Sequence, residues 1–208
     1  MIAIIDYDAG NLMSVQKALD YMNEVSIITR NPKEILLADK IILPGVGAFG
    51  DAMENLKKFE MDKVIKEAVS RQIPLLGICL GLQLLFAGSE ENGGVEGLNL
   101  LPGAIIKFPQ IAELKIPHMG WNSLKLKGTG RLFTDLPDDS FVYFVHSYYL
   151  KAEDPAIVKA LTDYGVPFHA SVEYGNLFGC QFHPEKSSDT GLHILKNFAK
   201  MGNKNTCS

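Results

Sequence analysis

The feature that most restricts how this chain can fold is the alternation, through its first half, of short apolar runs with helical patterns. Ile2–Asp6, Val25–Thr29, Lys40–Leu43 and Pro74–Cys79 read as buried strands, each ended by Gly, Pro, Asp or Asn. Between them Leu12–Met22 reads as a helix. Asn31-Pro32 reads as another helix start, with Asn at the N-cap and Pro in the first helical position. After Glu60, residues Met61, Val64, Ile65, Ala68 and Val69 recur at the spacing of a single apolar helical face. Strand–helix–strand repetition predicts a parallel sheet covered by helices on both sides, and right-handed crossovers leave few ways to thread it.

After Gly93 the pattern changes. Ala104–Phe108, Ile116–Trp121, Ser123–Leu126, Phe141–Leu150, Ala156–Thr162, Phe168–Tyr174 and Leu177–Phe182 read as strands with few helices between them. A last helix starts near Asp189, with Leu192, Leu195, Phe198 and Ala199 on one face. The expected fold is therefore α/β: a mostly parallel central sheet flanked by helices, with additional antiparallel strands in the C-terminal half, added at one edge. Gly93-Gly94 and Lys127–Gly130 read as loops rather than domain boundaries. The 208 residues suit one large domain, without need of a covalent staple.

Composition narrows the function classes. A formal net charge of −4 gives no basic footprint for nucleic acid. Three cysteines, Cys79, Cys180 and Cys207, are too few and odd in number for a disulfide framework, which favours a reducing compartment. The start, MIAIIDYDAG, reads as a first strand and not a signal peptide, and no apolar stretch approaches the roughly 18 residues of a membrane span. The expected location is the cytoplasm.

Chemistry concentrates at Leu75-Leu76-Gly77-Ile78-Cys79-Leu80-Gly81-Leu82-Gln83. An apolar strand running into Gly-x-Cys-x-Gly and then a helical pattern is a nucleophile elbow with Cys in the place of Ser. The glycines flank a turn with no room for side chains, and the helix that follows points its N-terminus at the sulfur, favouring thiolate over thiol. A lone cysteine is more often a buried structural one; the flanking glycines at a strand–helix junction reverse that reading.

A thiol needs a base. Of the five histidines, His118, His146, His169 and His193 can each be structural. His183 differs: it ends the run Leu177–Phe182 and precedes Pro184 and Glu185. Pro184 stops the strand and restricts the backbone at His183, and Glu185 is near enough to hold the ring's tautomer. Attack on an amide also needs oxyanion donors. The run Ile41–Leu43 enters Pro44-Gly45-Val46-Gly47, a turn able to aim a backbone amide inward, so Val46 N–H and Leu80 N–H are the expected pair. Because Gly45 and Gly47 flank Val46, the Gly45–Val46 peptide plane can turn over at little steric cost.

Gly77-Ile78-Cys79-Leu80-Gly81-Leu82-Gln83 together with Gln181-Phe182-His183-Pro184-Glu185-Lys186 resembles the class I, or triad, glutamine amidotransferases. Asp6-Tyr7-x-x-Gly10-Asn11-Leu12, Pro44-Gly45-Val46-Gly47, Pro117-His118-Met119-Gly120-Trp121-Asn122 and Tyr143–Tyr148 narrow the resemblance to the glutaminase subunits of imidazole glycerol phosphate synthase, in histidine biosynthesis. It runs from Met1 to about Met201, one domain, leaving 202–208 as a tail with no family signal, expected to be flexible. The resemblance implies Cys79 as nucleophile, His183 as general base and acid, and Glu185 as its orienter. It implies glutamine held by Gly47, Gln83, Ser147 and Tyr148, and no metal or organic cofactor. It also implies a partner, a cyclase subunit with a (β/α)₈ barrel forming a heterodimer, and a glutaminase activity coupled to that partner and its bound nucleotide. Trp121, Tyr143 and Lys186, in or beside the segments particular to the family, are the expected interface residues. One departure is Asp8, where the family more often has Gly, which bears on the first loop's backbone.

Three rivals compete. A glutaminase subunit of pyridoxal phosphate synthase would carry a Gly-Gly-Glu-Ser type oxyanion segment instead of Gly45-Val46-Gly47. An esterase-like hydrolase would separate its acid from its base, unlike His183-x-Glu185. A non-catalytic module that kept the fold would be expected to have a broken triad, whereas here all three residues stand.

Overall fold

The computed structural model describes residues 1–111 and 114–202. Helices α1 to α6 span Leu12–Tyr21, Pro32–Leu37, Phe49–Lys58, Met61–Ser70, Leu80–Leu84 and Ser188–Lys200. Strands β1 to β4 are Ile2–Ile5, Ser26–Thr29, Lys40–Gly45 and Leu75–Cys79; β5 to β7 are Phe86–Ser89, Val95–Glu96 and Leu101–Lys107. Then come β8 His118–Ser123, β9 Lys125–Leu126, β10 Phe141–His146 and β11 Tyr148–Ala152. The last three are β12 Val158–Asp163, β13 Pro167–Tyr174 and β14 Leu177–Cys180. No helix among the described residues is long and apolar enough to cross a membrane.

The parallel core runs β2-β1-β3-β4-β14, and β13, β11 and β7 continue it antiparallel. The antiparallel strands lie to one side of the parallel ones, as expected, and the last strand, β14, sits parallel beside β4 in the middle of the sheet. The apolar runs do not alternate because both faces of the sheet are covered. Ala3 and Ile5 of β1 pack with Leu43, Leu75 and residues of α3 and α4, while Ile2 and Ile4 pack on the other face with α1 and α6. The sequence reading of helices on both sides holds.

Three local differences have physical causes. The sequence reading passes over α3, although Phe49, Ala52, Met53 and Leu56 share one face of it. The helix lacks a local side-chain cap, and Oε2 of Glu91 accepts from Phe49 N at 2.9 Å across 42 residues. The helical pattern after Cys79 stops at Leu84, and Phe86–Ser89 becomes strand β5 beside β7. The run Phe141–Leu150 is two strands: the chain leaves at Ser147, so β10 pairs with β8 in a separate two-stranded sheet and β11 joins the main one.

The first loop accommodates Asp8 in the left-handed region, φ 62, which explains why Gly suits this position. Arg30 Nη2 donates to both Asp6 and Asp8 at 2.6 Å each, tying the loop to the end of β2. Of the tail expected over 202–208, residues 203–208, and Cys207 with them, lie outside the described residues.

Candidate active site

Strand order explains why distant motifs meet. β3, β4 and β14 are parallel neighbours, so the chain leaving each of them emerges at the same sheet edge. Gly45 ends β3, Cys79 ends β4, and Gln181-Phe182-His183 follows β14. At the β4–α5 junction Cys79 has φ 54 and ψ −107, a strained setting for a non-glycine residue. The flanking glycines are required by close approach. A Cβ on Gly81 would lie 1.8 Å from Leu43 O, and one on Gly77 would lie 2.6 Å from Gly81 O.

A cavity of about 300 Å³ opens above the sulfur. Val46, Gly47, Cys79, Leu80, Gln83, Ser147, Tyr148 and His183 all line it, as do Glu91, Pro117, Val145 and His146, which the sequence reading had not placed in a site. Trp121, Tyr143 and Lys186 lie outside the cavity. Trp121 is 51% exposed, too open for a core residue, and its ring meets that of Tyr143 edge-on at 6.2 Å. Lys186 is exposed as well.

His183 Nδ1 and Glu185 Oε1 are 2.8 Å apart, both side chains buried. His183 Nε2 is buried and makes no hydrogen bond among the described residues. Burial alone would lower the His183 pKa, but Cys79 and Glu185 outweigh it and raise it to about 10. In that charge state the ring carries a proton that it can donate. Val46 N–H and Leu80 N–H meet no acceptor among the described residues. Tyr7, fully buried, donates its hydroxyl to Pro44 O at 2.8 Å and so holds the peptide just before this turn. Its phenol pKa is pushed up by burial and then by Cys79.

The remaining histidines have structural partners. His169 Nδ1 accepts from Ala152 N, and His193 reaches Thr134 O. His146 Nδ1 lies 2.9 Å from Tyr148 O, which fixes that nitrogen as donor, and its Nε2 then accepts from His118 Nδ1 at 3.0 Å. Burial depresses both, His118 to about 4 and His146 to about 3, the latter lowered further by His118 and His183. Their ordinary value is about 6.5, so the unfolded chain takes up protons that the folded chain refuses as pH falls below that. Stability is thus complete above about pH 6.5 and declines towards pH 4, by on the order of 3–5 kcal/mol near pH 4.5. His183, with its raised pKa, acts oppositely and only above about pH 6.5, where its contribution fades as pH climbs towards 10. Urea unfolding of the wild type and of a His118→Asn/His146→Gln double variant checks this. The double variant is expected to lose much less on acidification, and equal losses would contradict the assignment.

A family model described as glutamine amidotransferase class-I matches residues 3–201, and the chain belongs to that family. An imidazole glycerol phosphate synthase subunit HisH from Moorella thermoacetica is 53% identical over 200 residues, covering 96% of this chain and 94% of its own. The subunit of the same name from Geobacter metallireducens is 47% identical over 203 residues, covering 95% and 97%. Within the class, the chain sits with the HisH subunits. The structure of PurLQS from Thermotoga maritima, at 20% identity and a TM-score of 0.71 over 95% of this chain and 96% of its own, shares the fold.

Proposed function

We propose that this enzyme is the glutaminase subunit of an imidazole glycerol phosphate synthase, hydrolysing L-glutamine to glutamate and ammonia on a Cys79–His183–Glu185 triad. The observation supporting it most directly is the strained Cys79 backbone at the end of β4, beside a buried His183–Glu185 pair that follows the neighbouring strand. The thiolate attacks the γ-amide carbon, and the oxyanion takes hydrogen bonds from Val46 N–H and Leu80 N–H. His183 Nε2 then protonates the departing ammonia as the carbon–nitrogen bond breaks, leaving a γ-glutamyl thioester. Water, deprotonated by the same nitrogen, releases glutamate and restores the thiolate. Glu185 holds the Nδ1 proton throughout. Gly47, Gln83, Ser147 and Tyr148 hold the substrate. Residues 1–201 act as one glutamine amidotransferase domain.

The partner is a cyclase subunit with a (β/α)₈ barrel, in a heterodimer that receives the ammonia in the cytoplasm. The surface that supports this is the outer face of the β8–β10 ribbon, where Met119, Trp121 and Phe141 are exposed. Tyr143 belongs to the same ribbon, and His183 N donates to Tyr143 O at 2.9 Å, so the ribbon and the base share a backbone contact. A pyridoxal phosphate synthase subunit is not favoured by the names of the relatives. Co-purification with the candidate cyclase followed by a glutamate-release assay tests the reading; no complex, or a complex without glutamine-dependent turnover, would sink it. Lys186→Glu is expected to weaken assembly or let ammonia escape while alkylation of the thiol is unchanged. A tight, ammonia-efficient complex of that variant would remove Lys186 from the interface.

A further inference from the structure

One fully buried polar side chain touches the nucleophile and has no part in the chemistry described so far. Gln181, in the short run between β14 and His183, has no exposed surface, and its Nε2 lies 3.7 Å from Cys79 Sγ. Its orientation is dictated from outside. The carbonyl of Tyr148 can only accept, so the group of Gln83 that lies 3.0 Å from it is the NH₂. The second hydrogen of that NH₂ points at Gln181, 3.0 Å away, which must present its oxygen. Gln181 therefore turns its own NH₂ to the sulfur and cannot flip without breaking the Gln83 contact.

An N–H group can donate to a thiolate but cannot accept from a thiol, so such a contact favours the ionised sulfur. The opposite preference is also built in: Val145 O, 3.9 Å from Sγ, can accept only from the protonated thiol. We propose that Gln181 is a further residue of the catalytic site, a neutral N–H donor that holds Cys79 as thiolate and aims it into the cavity, itself positioned by Gln83. This rests on reading Cys79 as the nucleophile. Gln83 then has both amide hydrogens engaged by the protein, leaving only its Oε1 to accept from a substrate amine or amide.

Titratable groups on the surrounding elements also bear on the sulfur. They are His183 after β14, with Glu185 behind it, Tyr7 after β1, His146 at the end of β10, Cys180 at the end of β14, and Glu91 and Tyr148 in the cavity wall. None of them changes in the variants used for the test. The measurement is the alkylation rate of the Cys79 peptide by iodoacetamide in the full chain, at about pH 7 and about pH 9.5. Gln181→Met is expected to slow alkylation about tenfold at the lower pH and little at the higher, the loss of one charge-assisted hydrogen bond. Gln181→Glu keeps the shape and puts a negative charge beside the sulfur, so its rate at the lower pH should fall further. Gln83→Leu, which frees Gln181 to turn over, should fall between wild type and Gln181→Met. A ratio between the two pH values that is unchanged in both Gln181 variants would overturn the proposal, as would equal slowing at both, which is what a merely structural residue gives. If Cys79 in the wild type reacts no faster than Cys180, the nucleophile reading itself fails, an outcome distinct from the other two.

Discussion

Cys79→Ala is expected to remove glutamine-dependent turnover in the complex, by several orders of magnitude, while synthesis from added ammonia continues. Alanine keeps a Cβ at the elbow, so the strained backbone and the glycine contacts around it are unchanged, and only the sulfur is lost. No other thiol among the described residues can replace it. Cys180 is fully buried with its Sγ 3.9 Å from Gly77 O, and burial pushes its pKa far up, with Glu185 and Cys79 adding to the shift. Replacing Cys180 is expected to perturb packing between β14 and β4 and to leave the chemistry intact. Glutamate release and ammonia-driven product formation, measured on the same preparation, separate the two half-reactions. Glutaminase activity of Cys79→Ala at the wild-type level would end the account of the nucleophile, and loss of both half-reactions would point to a failure of assembly.

The second large effect concerns the oxyanion donors. A single missing donor costs about 3–4 kcal/mol, or roughly 10²–10³ in rate. If the Gly45–Val46 peptide turns its N–H inward only when the partner and its nucleotide are bound, the isolated chain should be slower by about that factor. The surroundings of the turn bear on how this is tested. A Cβ on Gly45 would lie 2.7 Å from the Tyr7 hydroxyl and 2.9 Å from Leu80 Cβ. Gly45→Pro therefore disturbs packing as well as loop freedom and cannot isolate the peptide's motion. Gly47 is the better site: φ is +100, and a Cβ there would meet nothing within 4 Å. Gly47→Ala adds backbone strain without overlap and is expected to blunt the response to the partner. Glutamate release by the chain alone, with the cyclase, and with the cyclase plus nucleotide should rise in that order. Equal rates in all three would eliminate the switch.

Much of the fold was legible because its strands are covered on both faces and read as unbroken apolar runs. Ile2–Ile5, Lys40–Gly45 and Leu75–Cys79 are of this kind, and the Asn31-Pro32 start of α2 is a purely local signal, its side chain accepting from Lys33 N. What stayed hidden depends on distant contacts. The Glu91 cap on α3 spans 42 residues, and at the break at Ser147 the only local mark is the polar pair His146-Ser147, while the change of sheet is set by the partners β8 and β7. The triad motifs were visible because Gly77, Gly81 and Pro184 leave marks on the sequence. Gln181 left one too, a polar residue inside the apolar run Leu177–Phe182, but its orientation follows only from Tyr148 and Gln83 elsewhere in the chain. Asp8 is the converse case. The sequence flagged it as a departure, and the Arg30 pairing that accompanies its left-handed backbone needed the structure.

Mass spectrometry of the complex, quenched in acid during turnover of glutamine, tests whether Cys79 carries the acyl group. The account predicts a peptide containing Cys79 heavier by one γ-glutamyl group, labile to hydroxylamine and absent from Cys79→Ala. Turnover at full rate with no adduct on Cys79, or with the adduct on another residue, would contradict it.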